Sequence, residues 1–189
     1  QRQMCIRDRF KEVCQRSPEI VEILLKEYRL KDCKEITEEK ILNSPPLDLI
    51  VSHPTLEEIK EGDLSGLYLK SLFVSQNPRL KIIRGYAISN LVAPRVLVAL
   101  NPVLETIKEK AFYNIIGKTN IELSYNPSLT NIEPGSFCRL NHIDGGSAPL
   151  MEPRFRSSAP QLSSFLTPVG RTRTMGERQE SKIVVTSLN

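Results

Sequence analysis

One four-residue frame occurs four times in this chain, as His53-Pro54-Thr55-Leu56, Asn77-Pro78-Arg79-Leu80, Asn101-Pro102-Val103-Leu104 and Asn126-Pro127-Ser128-Leu129. The copies begin at positions 53, 77, 101 and 126, so the steps between them are 24, 24 and 25 residues. A fixed period of this length is typical of a solenoid, in which each repeat forms one coil and stacks on the next. Stacked coils build a long surface, which favours a binding function over a catalytic pocket.

Apolar residues recur at the same distances from each copy of the frame. The downstream positions are Ile59, Ile83, Ile107 and Ile132, then Leu64, Ile88, Phe112 and Phe137, then Leu67, Leu91, Ile115 and Leu140. The upstream pairs are Leu72 and Val74, Val96 and Val98, and Ile121 and Leu123. Alternation with a period of two places each upstream pair on one side of a strand, which we predict to be the inward side.

The unit L-x-x-L-x-V-x-x-N-x-x-L, which spans Leu69 to Leu80, resembles the leucine-rich repeat family. The resemblance implies an α/β solenoid with short parallel strands on its concave face. It also implies that Asn77, Asn101 and Asn126 form a ladder, in which each side chain bonds the backbone of neighbouring coils and pairs groups that would otherwise be buried without a partner. In the first copy, Asp48 stands where a buried aliphatic residue is expected, which weakens the prediction of a strand there.

Composition divides the chain into four parts. Residues 1–9 look like translated sequencing adapter, and we expect them to lie outside the fold. Residues 10–32 are predicted to be an N-terminal cap whose helix starts at Ser17-Pro18-Glu19, because Ser, Pro and an acid are typical of a first turn. Residues 33–143 hold the repeats, about four to five coils.

The coil count includes a degenerate first copy, in which Cys33, Ile36 and Ile41 repeat the spacing of Leu56, Ile59 and Leu64. Residues 144–189 are rich in Ser, Pro and Arg and have no sustained period, which predicts a disordered tail. Unspliced or frame-shifted coding sequence is an alternative origin for this part of the chain.

The side chains between the inward positions are predicted to face solvent. The middle column of this surface consists of Leu49, Phe73, Leu97 and Glu122, so three of its four members are large and apolar. An apolar stripe on a solvated surface is typical of an interface, and we add Arg95 and Tyr125 to the predicted ligand-binding set. A phase error of one residue would exchange the two faces of a strand, and that alternative stays open.

Residue patterns typical of catalysis or of cofactor binding are not found. His53 and His142 lack partners at catalytic spacing, and Gly117-Lys118-Thr119 lacks the glycine that a phosphate loop needs five residues earlier. The four cysteines form no paired C-x-x-C motif, so we expect no metal. The net charge of +4 is not clustered with aromatic residues, so we expect no nucleic acid. We therefore predict that the chain is not an enzyme and binds no cofactor.

A second resemblance concerns the segments Ala111-Phe112-Tyr113-Asn114-Ile115, Asn120-Ile121-Glu122-Leu123 and 128–137. They look like the extracellular repeats of glycoprotein hormone receptors and related leucine-rich-repeat G-protein-coupled receptors. The L domains of insulin- and growth-factor-type receptors are a second candidate. The resemblance implies part of a receptor ectodomain at the cell surface, with a protein or peptide hormone on the concave face and any membrane segments outside this chain.

Extracellular leucine-rich repeat proteins often tie the N-terminal cap with disulfides, so the resemblance makes a Cys14–Cys33 bridge an expectation. Unpaired thiols are the alternative. The alternative function is an intracellular leucine-rich repeat scaffold, located in the cytoplasm, that binds another protein with the same face.

Overall fold

A computed structural model describes residues 6–116, 119–140, 155–157 and 182–186. In these residues the helices precede the coils: α1 (Ile6–Arg16), α2 (Pro18–Glu27), a 3-10 turn (Cys33–Glu35) and α3 (Glu38–Asn43). The rest of the described chain is built from short parallel strands joined by tight corners.

The strands form three parallel sheets along the stack of coils. The long sheet contains β1 (Leu47–Val51), β3 (Leu69–Ser75), β6 (Arg95–Ala99) and β9 (Asn120–Ser124) in chain order. The second sheet contains β2 (Glu58–Ile59), β4 (Ile82–Ile83), β7 (Thr106–Ile107) and β10 (Asn131–Ile132), and the third contains β5 (Ile88–Ser89) and β8 (Phe112–Tyr113). The period therefore predicted the architecture correctly: the chain is a β-solenoid of about four coils.

The expectation of an α/β solenoid is wrong for the coils themselves. Between residues 47 and 140, the described part of the chain contains strands on two sides of every coil, a third strand in each of the two middle coils, and no helix. One reason lies in the corners, because a residue with positive φ occurs between β4 and β5, at Tyr86, and again between β7 and β8, at Lys110. A left-handed residue cannot continue a right-handed helix, so the chain turns after two residues of strand.

Left-handed residues recur in rows, two of which have one residue in each of the four coils while the third begins at the second coil. The three rows are Gln76, Leu100 and Tyr125; Gly62, Tyr86, Lys110 and Gly135; and Gly66, Asn90, Asn114 and Arg139. These rows make each coil three-sided, and they explain why side chains three to five residues apart can all face one interior.

The interior is the apolar stack that the period predicts. Leu56, Leu80 and Leu104 are at most 2% exposed, and the isoleucines at 59, 83 and 107 are fully buried. Phe112 is also fully buried, and its ring stacks on that of Phe137 with 4.8 Å between the centroids. Burial of roughly one large apolar residue per side in every coil, worth about 1.5–3 kcal/mol each, is the main stabilising term of such a fold.

Asn77, Asn101 and Asn126 lie in one row inside the corner that follows the long sheet. The Nδ2 of Asn77 donates to the Val51 carbonyl at 2.9 Å, and the Nδ2 of Asn101 donates to the Val74 carbonyl at 3.0 Å. Each Oδ1 accepts the backbone N–H one coil earlier, at 2.9 Å from His53 to Asn77 and at 3.2 Å from Asn77 to Asn101. The amides therefore join successive coils and pair backbone groups that the corner buries.

The helices share the hydrophobic core of the first coil. Phe10, Val13, Ile20 and Leu24 are buried in the same cluster as Leu49. Helix α2 begins at the predicted position, but its N-cap residue Ser17 makes no side-chain cap bond.

The Ser17 hydroxyl instead donates to the Asp63 carboxylate, with Oγ–O distances of 2.8 and 2.9 Å. Cys14 and Cys33 form a disulfide across a Cα–Cα distance of 6.1 Å.

Two expected boundaries differ from the structure at this end. Residues 6–9 belong to α1, whereas we expected residues 1–9 to lie outside the fold. The adapter origin of 1–9 stays a prediction, and residues 1–5 lie outside the described part. The segment that we expected to be a degenerate coil folds as the 3-10 turn and α3, although Ile36 and Ile41 are buried as predicted.

The C-terminal part of the chain also differs from expectation. We predicted disorder for residues 144–189, but β11 (Phe155–Ser157) and β12 (Lys182–Thr186) extend the long sheet. The apolar run Ile183-Val184-Val185 is long enough for one strand, and β9 offers an edge on which such a strand can pair. The rest of 144–189 lies outside the described residues.

Candidate binding face

The outward side of the long sheet carries the candidate face, which consists of two rows. The outer row contains Ile50, Phe73, Leu97 and Glu122, which are register partners across β1, β3, β6 and β9. The corner row contains the left-handed residues Gln76, Leu100 and Tyr125, each directly before a ladder asparagine.

Large apolar side chains dominate both rows. Ile50 and Leu100 are each 48% exposed, and Tyr125 is 49% exposed. Phe73 and Leu97 are half-buried between them, as is Glu122 at the end of the outer row. The exposed Ile50, Leu100 and Tyr125 therefore flank the half-buried Phe73 and Leu97. A partner that binds there would bury more apolar surface.

A cation covers part of the centre of the face. The guanidinium of Arg95, which is exposed, lies 5.7 Å from the centroid of the Phe73 ring. A cation–π contact at an exposed site contributes about 0.5–1 kcal/mol. Arg95 is therefore held over the outer row, where a ligand would meet both the ring and the charge.

Leu49 does not belong to the face, and its assignment to the ligand-binding set is wrong. Leu49 and Val51 are fully buried, and Ile50 is the residue of β1 that faces outward. From Val51 to His53 there are two residue steps, whereas from Val74 to Asn77 there are three, because the first corner has no counterpart of the left-handed Gln76. The shorter spacing was visible in the sequence, and it could have identified Ile50.

The same shift explains Asp48, which faces outward on β1. Its carboxylate accepts a hydrogen bond from the Ser71 hydroxyl and lies 3.3 Å from the Nζ of Lys70. The bond from Ser71 is the main reason why the pKa of Asp48 lies below its ordinary value, with the Lys70 ammonium adding to the effect. Asp48, Ser71 and Lys70 thus form a polar margin beside the apolar rows.

Three residues that we predicted to face solvent are largely covered. Ser71, Ala99 and Ser124 are at most 5% exposed, although they alternate with the inward residues. Their small side chains leave the outer row and the corner row as the accessible part of this face.

A polar groove of about 580 Å³ lies on another side of the molecule, between the start of α2 and the first two coils. It is lined by Ser17, Glu19, Thr55, Glu57, Glu58, Lys60, Arg79, Lys81 and Ile82. The acids and bases there partly pair with one another or with neighbours, since Glu58 lies 2.8 Å from the Arg84 guanidinium and 4.0 Å from the Lys60 ammonium. The groove therefore presents mixed charge and little apolar surface.

Asp63 and its neighbours form a buried polar cluster at the same end. Burial raises the pKa of the Asp63 carboxyl above its usual value of 3.8, whereas the backbone N–H of Lys60, the Ser17 hydroxyl and the charge of Arg16 act in the opposite direction. The Nζ of Lys60 in turn donates to the Arg16 carbonyl at 2.7 Å. The cluster joins the α1–α2 junction to the first coil.

The described residues contain no group of three or more His, Cys, Asp or Glu side chains placed to hold a metal ion. None of the helices in the described part is both long enough and apolar enough to cross a bilayer. Comparison with family models, with curated proteins and with solved structures finds no match to this chain.

Proposed function

We propose that this chain is a non-catalytic protein-binding module that takes a protein or peptide ligand on the candidate face. The observation that carries the proposal is the corner row, where Leu100 and Tyr125 are half exposed and left-handed at once. A bulky residue in this conformation costs on the order of 1–3 kcal/mol. The conformation belongs to the corner of the coil, but a large exposed apolar residue there, in place of Gly or Asn, is typical of a site that serves binding at some cost in stability.

The composition of the face supports the same proposal. Energetically important interface residues are enriched in aromatic residues and Arg, surrounded by a polar margin. Phe73, Tyr125 and Arg95 supply such anchors, while Asp48 and Glu122 lie at opposite ends of the apolar part. A ligand that carries an apolar ridge and charged groups at its ends would match this pattern.

For the family, we propose a leucine-rich repeat protein of the receptor type. The asparagine ladder and the parallel strand of each coil support it. The short strands on the other two sides, in place of the helix or 3-10 turn that leucine-rich repeats carry there, depart from that family. For this reason we keep the L domain of insulin- and growth-factor-type receptors as the second candidate.

We further propose an extracellular or cell-surface location, as part of a longer receptor. The Cys14–Cys33 disulfide supports this proposal, because disulfides persist in oxidising compartments and are rare in the cytosol. Alkylation of the native protein with and without reductant, followed by mass spectrometry, tests it. Labelling of Cys14 and Cys33 without reductant would instead favour the intracellular scaffold.

A cross-linking experiment tests the binding proposal directly. A photoreactive amino acid is placed at position 97 or 100 and, as a control, at position 42, because Leu42 is 53% exposed in α3 and lies outside the face. The probe is a panel of secreted protein and peptide hormones, and cross-links are expected at 97 and 100 but not at 42.

Affinity measurements on the captured hormone complete the test. Leu97→Asp and Leu100→Ser should each weaken binding by about tenfold or more, equivalent to about 1.4 kcal/mol. Leu42→Ser should leave the affinity unchanged. Equal affinity of all three variants would show that the ligand sits elsewhere and would contradict the proposal.

A further inference from the structure

The long sheet has an irregular strand order at its C-terminal end. β1, β3, β6 and β9 follow one another along the chain, but the next strand in the sheet is β12, and β11 lies outside β12. A solenoid adds each new strand beside the last one made. The reversed order of β12 and β11 therefore means that β12 reaches β9 through a connecting segment and not as one more coil.

The pairing of β12 with β9 nevertheless continues the register of the coils. It is parallel and runs from Lys182 opposite Asn120 to Thr186 opposite Ser124, the same five residues of β9 that pair with β6 on the other side. Ile183 and Val185 are the register partners of Ile121 and Leu123, the two inward residues of β9. The apolar run Ile183-Val184-Val185 thus places an apolar residue opposite each inward residue of the strand it joins.

Only the long sheet is extended in this way within the described residues. The second sheet ends at β10 and the third at β8. β12 is therefore attached through one side of the solenoid, and 41 residues separate it from Leu140. Without β12, the outer edge of β9 would present unpaired N–H and C=O groups, which is the usual template for pairing with another chain.

We propose that the outer edge of β9 is a strand-accepting site and that residues 182–186 are its intramolecular occupant. The site takes a parallel, extended segment with apolar residues at alternate positions, the mode in which peptides add to sheet edges. Its occupation pairs the terminal edge of the long sheet. Because closing a connection of this length costs entropy that is regained when it opens, the occupant can leave, and the edge can then take the same segment of a second copy.

Hydrogen exchange on the full chain tests the occupancy. The variant Ile183→Asp/Val185→Asp places charges at the two register positions opposite Ile121 and Leu123. The Asn120 N–H donates to the Pro94 carbonyl on the β6 side, so the amides of Ile121 and Leu123 are the ones that face β12. These two amides should exchange about tenfold faster or more, while those in 95–99 keep their rates, because only the edge strand loses a neighbour. The matched control Lys182→Asp/Val184→Asp introduces the same number of Asp residues at the alternate positions and should change the exchange of 120–124 by less than about twofold.

A peptide of residues 181–189 tests the site separately from the occupant. Added to the Ile183→Asp/Val185→Asp variant, it should restore slow exchange at 120–124. Equal exchange of 120–124 in the native chain and the variant would overturn the proposal. If the native chain is a dimer and the slow exchange of 120–124 is lost on dilution, the occupant comes from a second copy, and the intramolecular assignment is wrong.

Discussion

The first coil (47–67) and the third coil (95–116) share one sequence frame, yet they place their side chains differently. In the third coil the left-handed Leu100 stands between the strand and Asn101. In the first coil this residue is missing, so the buried positions of the strand lie one residue closer to the corner. A period in the corners therefore does not ensure the same phase in the strands, because a corner residue can be lost without loss of the coil.

The two coils also differ on the side opposite the long sheet. Asp63 in the first coil occupies the position that Ala87 and Ala111 occupy in the next two coils, and all three residues are at most 1% exposed. The later coils pack against further coils, for which a small apolar residue is suitable. The first coil meets the α1–α2 junction, where Ser17 and Arg16 contact a carboxylate. The end of a solenoid is thus adapted to whatever covers it.

The largest expected effect tests the shifted phase of the first strand. Leu49→Ala should lower the free energy of unfolding by about 2–5 kcal/mol, because Leu49 is fully buried. Ile50→Ala should change it by less than about 1 kcal/mol, because half of this side chain is already in water. Chemical denaturation measures both variants, and the reverse order of the two losses would return Leu49 to the outward side.

The ladder supplies the next comparison between the coils. Asn101→Ala should cost about 1–3 kcal/mol, since it leaves the Val74 carbonyl and the backbone N–H of Asn77 buried without partners. His53→Ala in the first coil should cost less than about 1 kcal/mol, because its ring contacts the exposed Glu22 at 3.2 Å. Thermal or chemical denaturation distinguishes the two, and equal losses would argue against a structural role for the amide row.

A smaller effect of opposite sign is expected at the corner that the first coil lacks. Leu100 has a positive φ of 57°, which glycine adopts without the steric cost of a side chain. Leu100→Gly should therefore raise the free energy of unfolding by up to about 1 kcal/mol. The same change removes an exposed side chain from the candidate face and should weaken ligand binding. A variant that is less stable than the native chain would show that Leu100 is held by packing and not strained.

The smallest effect concerns the buried carboxylate of the first coil. Because the pKa of Asp63 is raised on folding, the folded chain binds more protons than the unfolded chain as the pH rises from 3.8 toward the raised pKa. The contribution of Asp63 to the free energy of unfolding therefore falls as the pH rises through that window. Asp63→Asn should remove this part of the pH dependence of stability. Unfolding free energies of both proteins between pH 3.5 and pH 7 measure it, and parallel curves would show that the carboxyl titrates normally.

Much of the fold was predictable from the recurring apolar positions. Ile83, Ile88 and Leu91 are buried as their spacing indicated, and so are the equivalent residues of the neighbouring coils. The short strands of the second and third sheets were not predicted. Two residues such as Ile82 and Ile83 are too short for a period to distinguish strand from turn, and their state depends on pairing with the coil above and below.

The candidate face was predicted in part for a related reason. Phe73, Leu97 and Tyr125 were found because alternation holds within β3, β6 and β9, and the distance to the ladder asparagine is constant there. Ile50 was not predicted, because the last buried residue of β1 lies two residues before His53 and not three, as in the later coils. Ala99 and Ser124 are buried by residues that are distant in sequence. Local alternation within a strand cannot predict such contacts.

The amino-acid sequence by itself determined the coil, its period, its apolar interior and the row of asparagines. These features repeat at a fixed spacing, and each copy meets an equivalent copy of itself. The tertiary structure alone decided the two ends: the phase of β1, the pairing of Ser17 with Asp63, and the strand at 182–186 beside β9. At an end the neighbour is not another copy, so the contacts there join residues distant in the chain, and no period relates them.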